Sequence, residues 1–230
     1  MSFVLLPGLD GTGHYSAALA ARLAAYGPVI VQAYPSRQRL GYDALAHSVE
    51  ARLPAAPCIL VAESFAGPLA LKLVRRAPHR FGAVVLGASF ASMCLPFAGA
   101  LSTLAAYAPA RALPTRLAAR CLWGQWATPD RARELERVLA GVDARVLAHR
   151  AAQALSVDER TGRAIHTPAL VLHASADRVL PRTARSSIER AVPHAQIVEL
   201  DAPHFLFQAV PDAAATLIAE SAARRAYSGS

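Results

Sequence analysis

A serine becomes a nucleophile only where a base can reach its hydroxyl, and one segment of this chain is built to expose a serine. In Leu60-Val61-Ala62-Glu63-Ser64-Phe65-Ala66-Gly67, Ser64 stands between an apolar strand-like run and an Ala/Leu-rich helix-like run, with a small residue two positions to either side. A serine displayed at a strand end must occupy a tight, strained turn, and small flanking residues keep the adjoining strand and helix from colliding. Ala62 and Ala66 take those flanks where the G-x-S-x-G pattern has glycine. A helix starting at Phe65 adds its positive end and free N–H groups, which favour a nearby oxyanion. Taken alone, the segment also fits a serine that only caps that helix.

Three further segments supply what such a serine needs. The glycine-rich Leu5-Leu6-Pro7-Gly8-Leu9-Asp10-Gly11-Thr12-Gly13 can turn backbone N–H groups toward a bound oxygen, and the expected oxyanion donors are the N–H groups of Leu9 and Phe65. Its glycines do not fit G-x-G-x-x-G, the second strand ends in Gln32-Ala33-Tyr34 without an acid for a ribose, and the terminal Gly-Lys-Ser/Thr of a P-loop is missing. In Leu170-Val171-Leu172-His173-Ala174-Ser175-Ala176-Asp177 an acid follows a strand, and in Asp201-Ala202-Pro203-His204 a histidine follows the last strand. The chemistry is acyl transfer: His204 takes the Ser64 proton, and Asp177 holds the imidazole tautomer and steadies its charge. Asp201 is the rival acid, but its place in the His204 turn suits loop ordering better. His173 lies within a strand, while His166 and His194 precede strands at the opposite edge and read as structural. His14, His47, His79 and His149 show no metal-binding spacing, so neither a metal nor any other cofactor is expected.

Residues so far apart can meet only if the fold brings them together. Apolar runs at Phe3–Leu6, Val29–Ala33, Cys58–Ala62 and Ala83–Gly87 read as strands, with helices near Tyr15–Tyr26, Tyr42–Leu53 and Phe65–Arg76 between them. Strands apolar along their whole length belong to a parallel sheet covered on both faces. Residues 91–157 contain no convincing strand and several helix-length stretches, broken at Pro109, Pro114, Gly124, Pro129 and Gly141. The alternation resumes with a strand at Ala169–His173, a helix near Thr183–Ala191, a strand at Gln196–Leu200 and a helix after Pro211. The expected plan is an α/β core from 1–90 and 158–230 with a helical cap at 91–157, and a disordered tail at Tyr227–Ser230. Parallel strands present their C-terminal ends at one edge, so Ser64, Asp177 and His204 can converge there.

With 230 residues, 54% hydrophobic and 17% charged, the chain should bury one substantial core. No apolar run approaches the roughly 20 residues of a membrane span. The first strand begins almost at Met1, leaving no room for a signal peptide, so a cytoplasmic location is expected. Three widely spaced cysteines suggest no disulfide framework. The net charge of +8 comes from scattered arginines, which argues against nucleic acid and leaves an acidic acyl carrier protein open as a partner.

The ordered set of glycine loop, serine elbow, helical insertion, acid loop and histidine loop resembles the α/β-hydrolase superfamily over nearly the whole chain. That resemblance implies a Ser64, Asp177, His204 triad under a mobile helical cap and an acyl pocket. Pro7 stands where many members have a histidine, and there is no room before Phe3 for their opening hairpin, so a reduced sheet of about six mostly parallel strands is expected. The phrase from Leu6 to Gly13 is also similar to the opening of plant plastid acyltransferases that make phytyl esters. Leu95, Phe97, Trp123 and Trp126 can line the substrate pocket or merely pack the cap onto the core. Glu63 can face the sheet interior or the site. Three functions follow: a carboxylesterase for a small-molecule acyl ester; a thioesterase, acyltransferase or carrier-protein methyl esterase using the same triad; or a binding protein that keeps the fold without turnover.

Overall fold

The computed structural model describes residues 1–107 and 114–226; Pro109 and the tail Tyr227–Ser230 lie outside them. The first half alternates as expected. β1 (Ser2–Leu6) leads through a 3-10 turn at His14–Ser16 to α1 (Ala17–Leu23), followed by β2 (Val29–Val31), α2 (Tyr42–Glu50), β3 (Cys58–Glu63), α3 (Ala66–Arg76) and β4 (Phe81–Gly87). Four helices follow: α4 (Ala98–Tyr107), α5 (Thr115–Trp123), α6 (Pro129–Ala140) and α7 (Ala144–Ser156). The chain then returns to the sheet with β5 (Ala169–Ala174), α8 (Arg182–Ala191) and β6 (Gln196–Leu200), and closes with α9 (Leu206–Ala209) and α10 (Pro211–Ala226). The short α9 had no counterpart in the sequence reading.

All six strands are parallel, in the order β2-β1-β3-β4-β5-β6. Every residue of β3 and of β5 is buried, because side chains alternate between two covered faces. Leu60 and Ala62 join Leu45, Leu69, Leu73 and Ile188 on the face of α2, α3 and α8. Ile59 and Val61 join Leu19, Leu23, Ala214 and Ile218 on the face of α1 and α10. Each of these leucine, isoleucine and valine side chains contributes about 1.5–3 kcal/mol by leaving water.

Where elements end differently from the sequence reading, a local contact is responsible. α1 stops at Leu23, because the chain must fold back past β1 at Gly27, where φ is 158 and a Cβ would lie 2.5 Å from the Met1 carbonyl oxygen. β2 is only three residues long, since Tyr34 N–H leaves the ladder and donates to Gly11 O at 2.7 Å. The breakers between β4 and β5 act as expected: Pro114 precedes α5, Gly124 follows it with φ 55, Pro129 opens α6 and Gly141 closes it. Asp143 starts α7 by accepting from Arg145 N–H at 2.7 Å, and its own N–H donates to Ser36 O at 3.0 Å, tying α7 to the loop after β2. Among the described residues no helix is long and apolar enough to cross a membrane.

Candidate active site

The turn after β3 is strained. Ser64 has φ 50, a left-handed conformation costing a residue with a Cβ about 1–2 kcal/mol. Its neighbours hold it there: Ser64 N–H donates to Gly87 O at 3.0 Å, and the Ser64 carbonyl accepts from Gly67 N–H at 3.0 Å and from Ser89 Oγ at 2.5 Å. Ala62 and Ala66 are completely buried beside the turn. The closest approach falls one residue later, where a Cβ on Gly67 would stand 2.0 Å from Ser89 Oγ and 2.7 Å from Phe90 O. Alanine therefore suffices at both flanks, and the glycine this elbow requires is Gly67. The strain also delays α3 to Ala66, one residue past the expected start.

His204, in the loop between β6 and α9, is buried, and its Nε2 lies 2.8 Å from Ser64 Oγ. Its Nδ1 lies 2.8 Å from Asp177 Oδ2. The other carboxylate oxygen of Asp177 accepts from the N–H groups of Val179 at 2.8 Å and Leu180 at 3.0 Å. Burial alone would raise this carboxyl, but the His204 hydrogen bond, the imidazole charge and the two N–H donors outweigh it and hold Asp177 below the ordinary aspartate value. Asp201 instead accepts from Ser175 Oγ at 3.3 Å. His173 is buried within β5 and 3.8 Å from Glu189, and burial lowers its pKa; His166 and His194 are exposed.

The loop after β1 runs alongside the serine, with a Cβ built on Gly8 falling 4.0 Å from Ser64 Cβ. It closes as a turn in which Gly11 N–H donates to Gly8 O at 3.1 Å, while Asp10 Oδ1 accepts from Thr12 N–H at 2.9 Å and from Thr12 Oγ1 at 2.5 Å. Neither Leu9 N–H nor Phe65 N–H meets a backbone acceptor among the described residues. Arg150 of α7, almost fully buried, caps this loop by donating to Leu9 O at 3.0 Å, Asp10 O at 2.6 Å and Pro35 O at 2.9 Å.

Glu63 turns away from the serine into the face covered by α1 and α9. It borders a cavity of about 10 Å³ with Leu5, Ser16, Leu19 and Phe207. Its Oε2 accepts from Gln208 Nε2 at 3.0 Å, and its Oε1 has no partner. Burial pushes its pKa up to about 8, with the Gln208 hydrogen bond pulling it down and Asp10 adding to the rise.

The four residues expected to line a pocket are spread out. Phe97 is 84% exposed, Leu95 and Trp126 are half-buried, and Trp123 is buried. Trp123 packs edge-on against Phe205 with ring centroids 5.2 Å apart, and the Arg131 guanidinium lies over it at 4.0 Å. α5 also reaches the histidine loop through Phe205 N–H, which donates to Leu122 O at 3.0 Å. Ser89, Gln208 and Arg150 did not emerge from the sequence. Arg150 carried one faint signal, since it falls on the apolar stripe of α7 with the buried Val146 and Leu147 and the partly buried Ala154. Among the described residues no group of three or more His, Cys, Asp or Glu is arranged to hold a metal ion.

The model of a family described as serine aminopeptidase, S33, matches residues 39–204. No curated protein matches the chain significantly. Among solved structures, a thermophilic esterase from Thermogutta terrifontis superposes with a TM-score of 0.81 at 18% identity, over 98% of this chain and 90% of that one. An enol-lactonase from Burkholderia xenovorans gives 0.79 at 18%, over 96% and 90%. A hydrolase from Pseudomonas aeruginosa gives 0.78 at 21%, over 96% and 89%. At such identities the likeness speaks for the fold alone.

Proposed function

Because the chain belongs to the serine aminopeptidase S33 family of α/β-hydrolases, we propose that it is a serine hydrolase cleaving a carboxylic ester through an acyl-enzyme on Ser64. The observation that carries this reading is the unbroken path of two 2.8 Å hydrogen bonds from Ser64 Oγ through the His204 ring to Asp177. Asp177, ionised at neutral pH, keeps the imidazole proton on Nδ1 and leaves the Nε2 lone pair facing the hydroxyl. Ser64 Oγ attacks the carbonyl carbon as its proton passes to His204 Nε2. The carbonyl π electrons move onto oxygen, and the N–H groups of Leu9 and Phe65 take up that charge. The tetrahedral intermediate collapses, His204 protonates the leaving alkoxide, and water then repeats the sequence on the acyl-enzyme to release the acid. Helices α4 to α7 act as the cap, with Leu95, Phe97 and Trp126 as apolar contacts for the acyl chain.

The test is a panel of p-nitrophenyl esters, acyl thioesters and an aminoacyl anilide, run on wild type and Ser64→Ala, with a fluorophosphonate probe. Wild type should turn over esters fastest and take the probe on Ser64, and folded Ser64→Ala should do neither. Turnover no faster than the uncatalysed background by both folded proteins, with no probe taken up, would point to a fold that binds without catalysing, and a faster anilide would move the substrate to peptides. The net charge of +8 favours a second substrate source for the same triad, an acyl group carried on an acidic protein. Salt-sensitive rates on carrier-linked but not free thioesters would support it.

A further inference from the structure

The buried arginine of α7 does more than hold a helix down. We propose that Arg150 is a positioning residue for the oxyanion site, polarising and fixing the Leu9 N–H through a chain of peptide hydrogen bonds; this rests on the reading of Leu9 as an oxyanion donor.

The path can be followed atom by atom. The Arg150 guanidinium donates to Asp10 O at 2.6 Å. The same peptide unit presents the Gly11 N–H, which donates to Gly8 O at 3.1 Å. The peptide that owns the Gly8 carbonyl also owns the Leu9 N–H, and in a trans peptide these two groups point in opposite directions. A carbonyl held by Gly11 N–H therefore turns the Leu9 N–H the opposite way, out of that turn, in a loop where a Cβ built on Gly8 would fall 4.0 Å from the Ser64 Cβ. Each link withdraws electron density from the next, and hydrogen-bonded chains strengthen in this way by perhaps 10–30% per bond. A formal positive charge at the far end makes the first link the strong, charge-assisted kind.

Two further bonds remove the remaining freedom. Arg150 also takes Leu9 O at 3.0 Å, and Tyr34 N–H takes Gly11 O at 2.7 Å. The carbonyls of Gly8, Leu9, Asp10 and Gly11 are thus all occupied. No carboxylate hydrogen-bonds Arg150 among the described residues; its guanidinium donates to the carbonyls of Leu9, Asp10 and Pro35. An arginine serving only as glue between helix and core could pair with any acid, whereas this one places its charge on two successive carbonyls, Leu9 O and Asp10 O, of the loop that runs beside the serine. Space is matched as closely, since a Cβ on Gly11 would stand 2.5 Å from the Arg150 Nη1.

Deleting one whole oxyanion donor costs about 10²–10³ in kcat, so loosening one of two should cost roughly 10–100-fold. Arg150→Met should lower kcat for a p-nitrophenyl ester by that factor with KM unchanged, and should slow fluorophosphonate labelling in parallel, because the phosphoryl oxygen occupies the oxyanion position. Arg150→Lys should recover part of the rate, and millimolar guanidinium should raise kcat of Arg150→Ala while methylammonium should not. A folded Arg150→Met with wild-type kcat and labelling rate, and only a lower melting temperature, would make Arg150 a packing residue. If Arg150→Met does not fold, Arg150→Lys decides: a several-fold fall in kcat at constant KM supports the relay, and an unchanged kcat overturns it. A wild-type protein that never labels on Ser64 would instead overturn the serine-hydrolase reading itself.

Discussion

Replacing Asp177 by Asn should trap the histidine in the wrong tautomer, and the surroundings of the carboxylate decide which way the new amide faces. Asp177 Oδ1 accepts two backbone N–H groups, from Val179 and Leu180. In the variant the amide oxygen must stay there, because turning the NH2 group toward two donors would leave all of them unpaired. The NH2 then faces His204 Nδ1, which Asp177 Oδ2 meets at 2.8 Å in the wild type. An imidazole that accepts at Nδ1 carries its proton on Nε2, so it donates to Ser64 instead of drawing off its proton. Tautomer trapping of this kind in a serine triad costs about 10⁴ in kcat, about 5 kcal/mol of transition-state stabilisation at 1.36 kcal/mol per tenfold. The assay is steady-state hydrolysis of a p-nitrophenyl ester by wild type, Asp177→Asn and Asp201→Asn, with thermal melts as the folding control. Asp201→Asn should stay within a few-fold of wild type. A kcat for folded Asp177→Asn within tenfold of wild type, or a larger loss from Asp201→Asn, would refute the reasoning.

Glu63 ties stability to pH between about 4.5 and 8. With its folded pKa raised to about 8 from an ordinary 4.5, its stabilising contribution is complete below about pH 4.5 and is lost as pH rises toward 8, at about 1.36 kcal/mol per unit. Urea denaturation should therefore show wild type losing a few kcal/mol across that window relative to Glu63→Gln, and parallel curves would mean that the carboxyl is not held protonated. Trp123→Ala should lower the melting temperature through a loss of about 3–5 kcal/mol, while Phe97→Ala should leave it unchanged and alter KM for long acyl chains. A folded Trp123→Ala that keeps wild-type stability but loses chain-length preference would make Trp123 a pocket wall.

Much of the fold was legible because its signals are local. The runs Cys58–Glu63 and Ala169–Ala174 are apolar throughout, the mark of strands covered on both faces. The punctuation by Pro114, Gly124, Pro129 and Gly141 acts through backbone torsion at the residue itself. Ser64, Asp177 and His204 stood out for a related reason. Each follows a strand, and in a parallel sheet that position determines the edge, so proximity could be anticipated over the 140 residues that separate Ser64 from His204. Element ends were misjudged where a tertiary contact intervened, as at Gly27 against Met1 and at Tyr34 against Gly11.

What sequence alone determined was the fold class and the order of its parts along the chain, since backbone propensity and side-chain type are written residue by residue. Only the tertiary structure decided that Glu63 faces inward, that Gly67 is the indispensable small residue, that Trp123 is packed under an arginine, and that Arg150 holds the loop beside the serine. Those outcomes depend on distances between side chains and backbone groups whose separation in the chain, up to 145 residues for Glu63 and Gln208, follows no periodicity. Their energies arise only when water has been excluded between them.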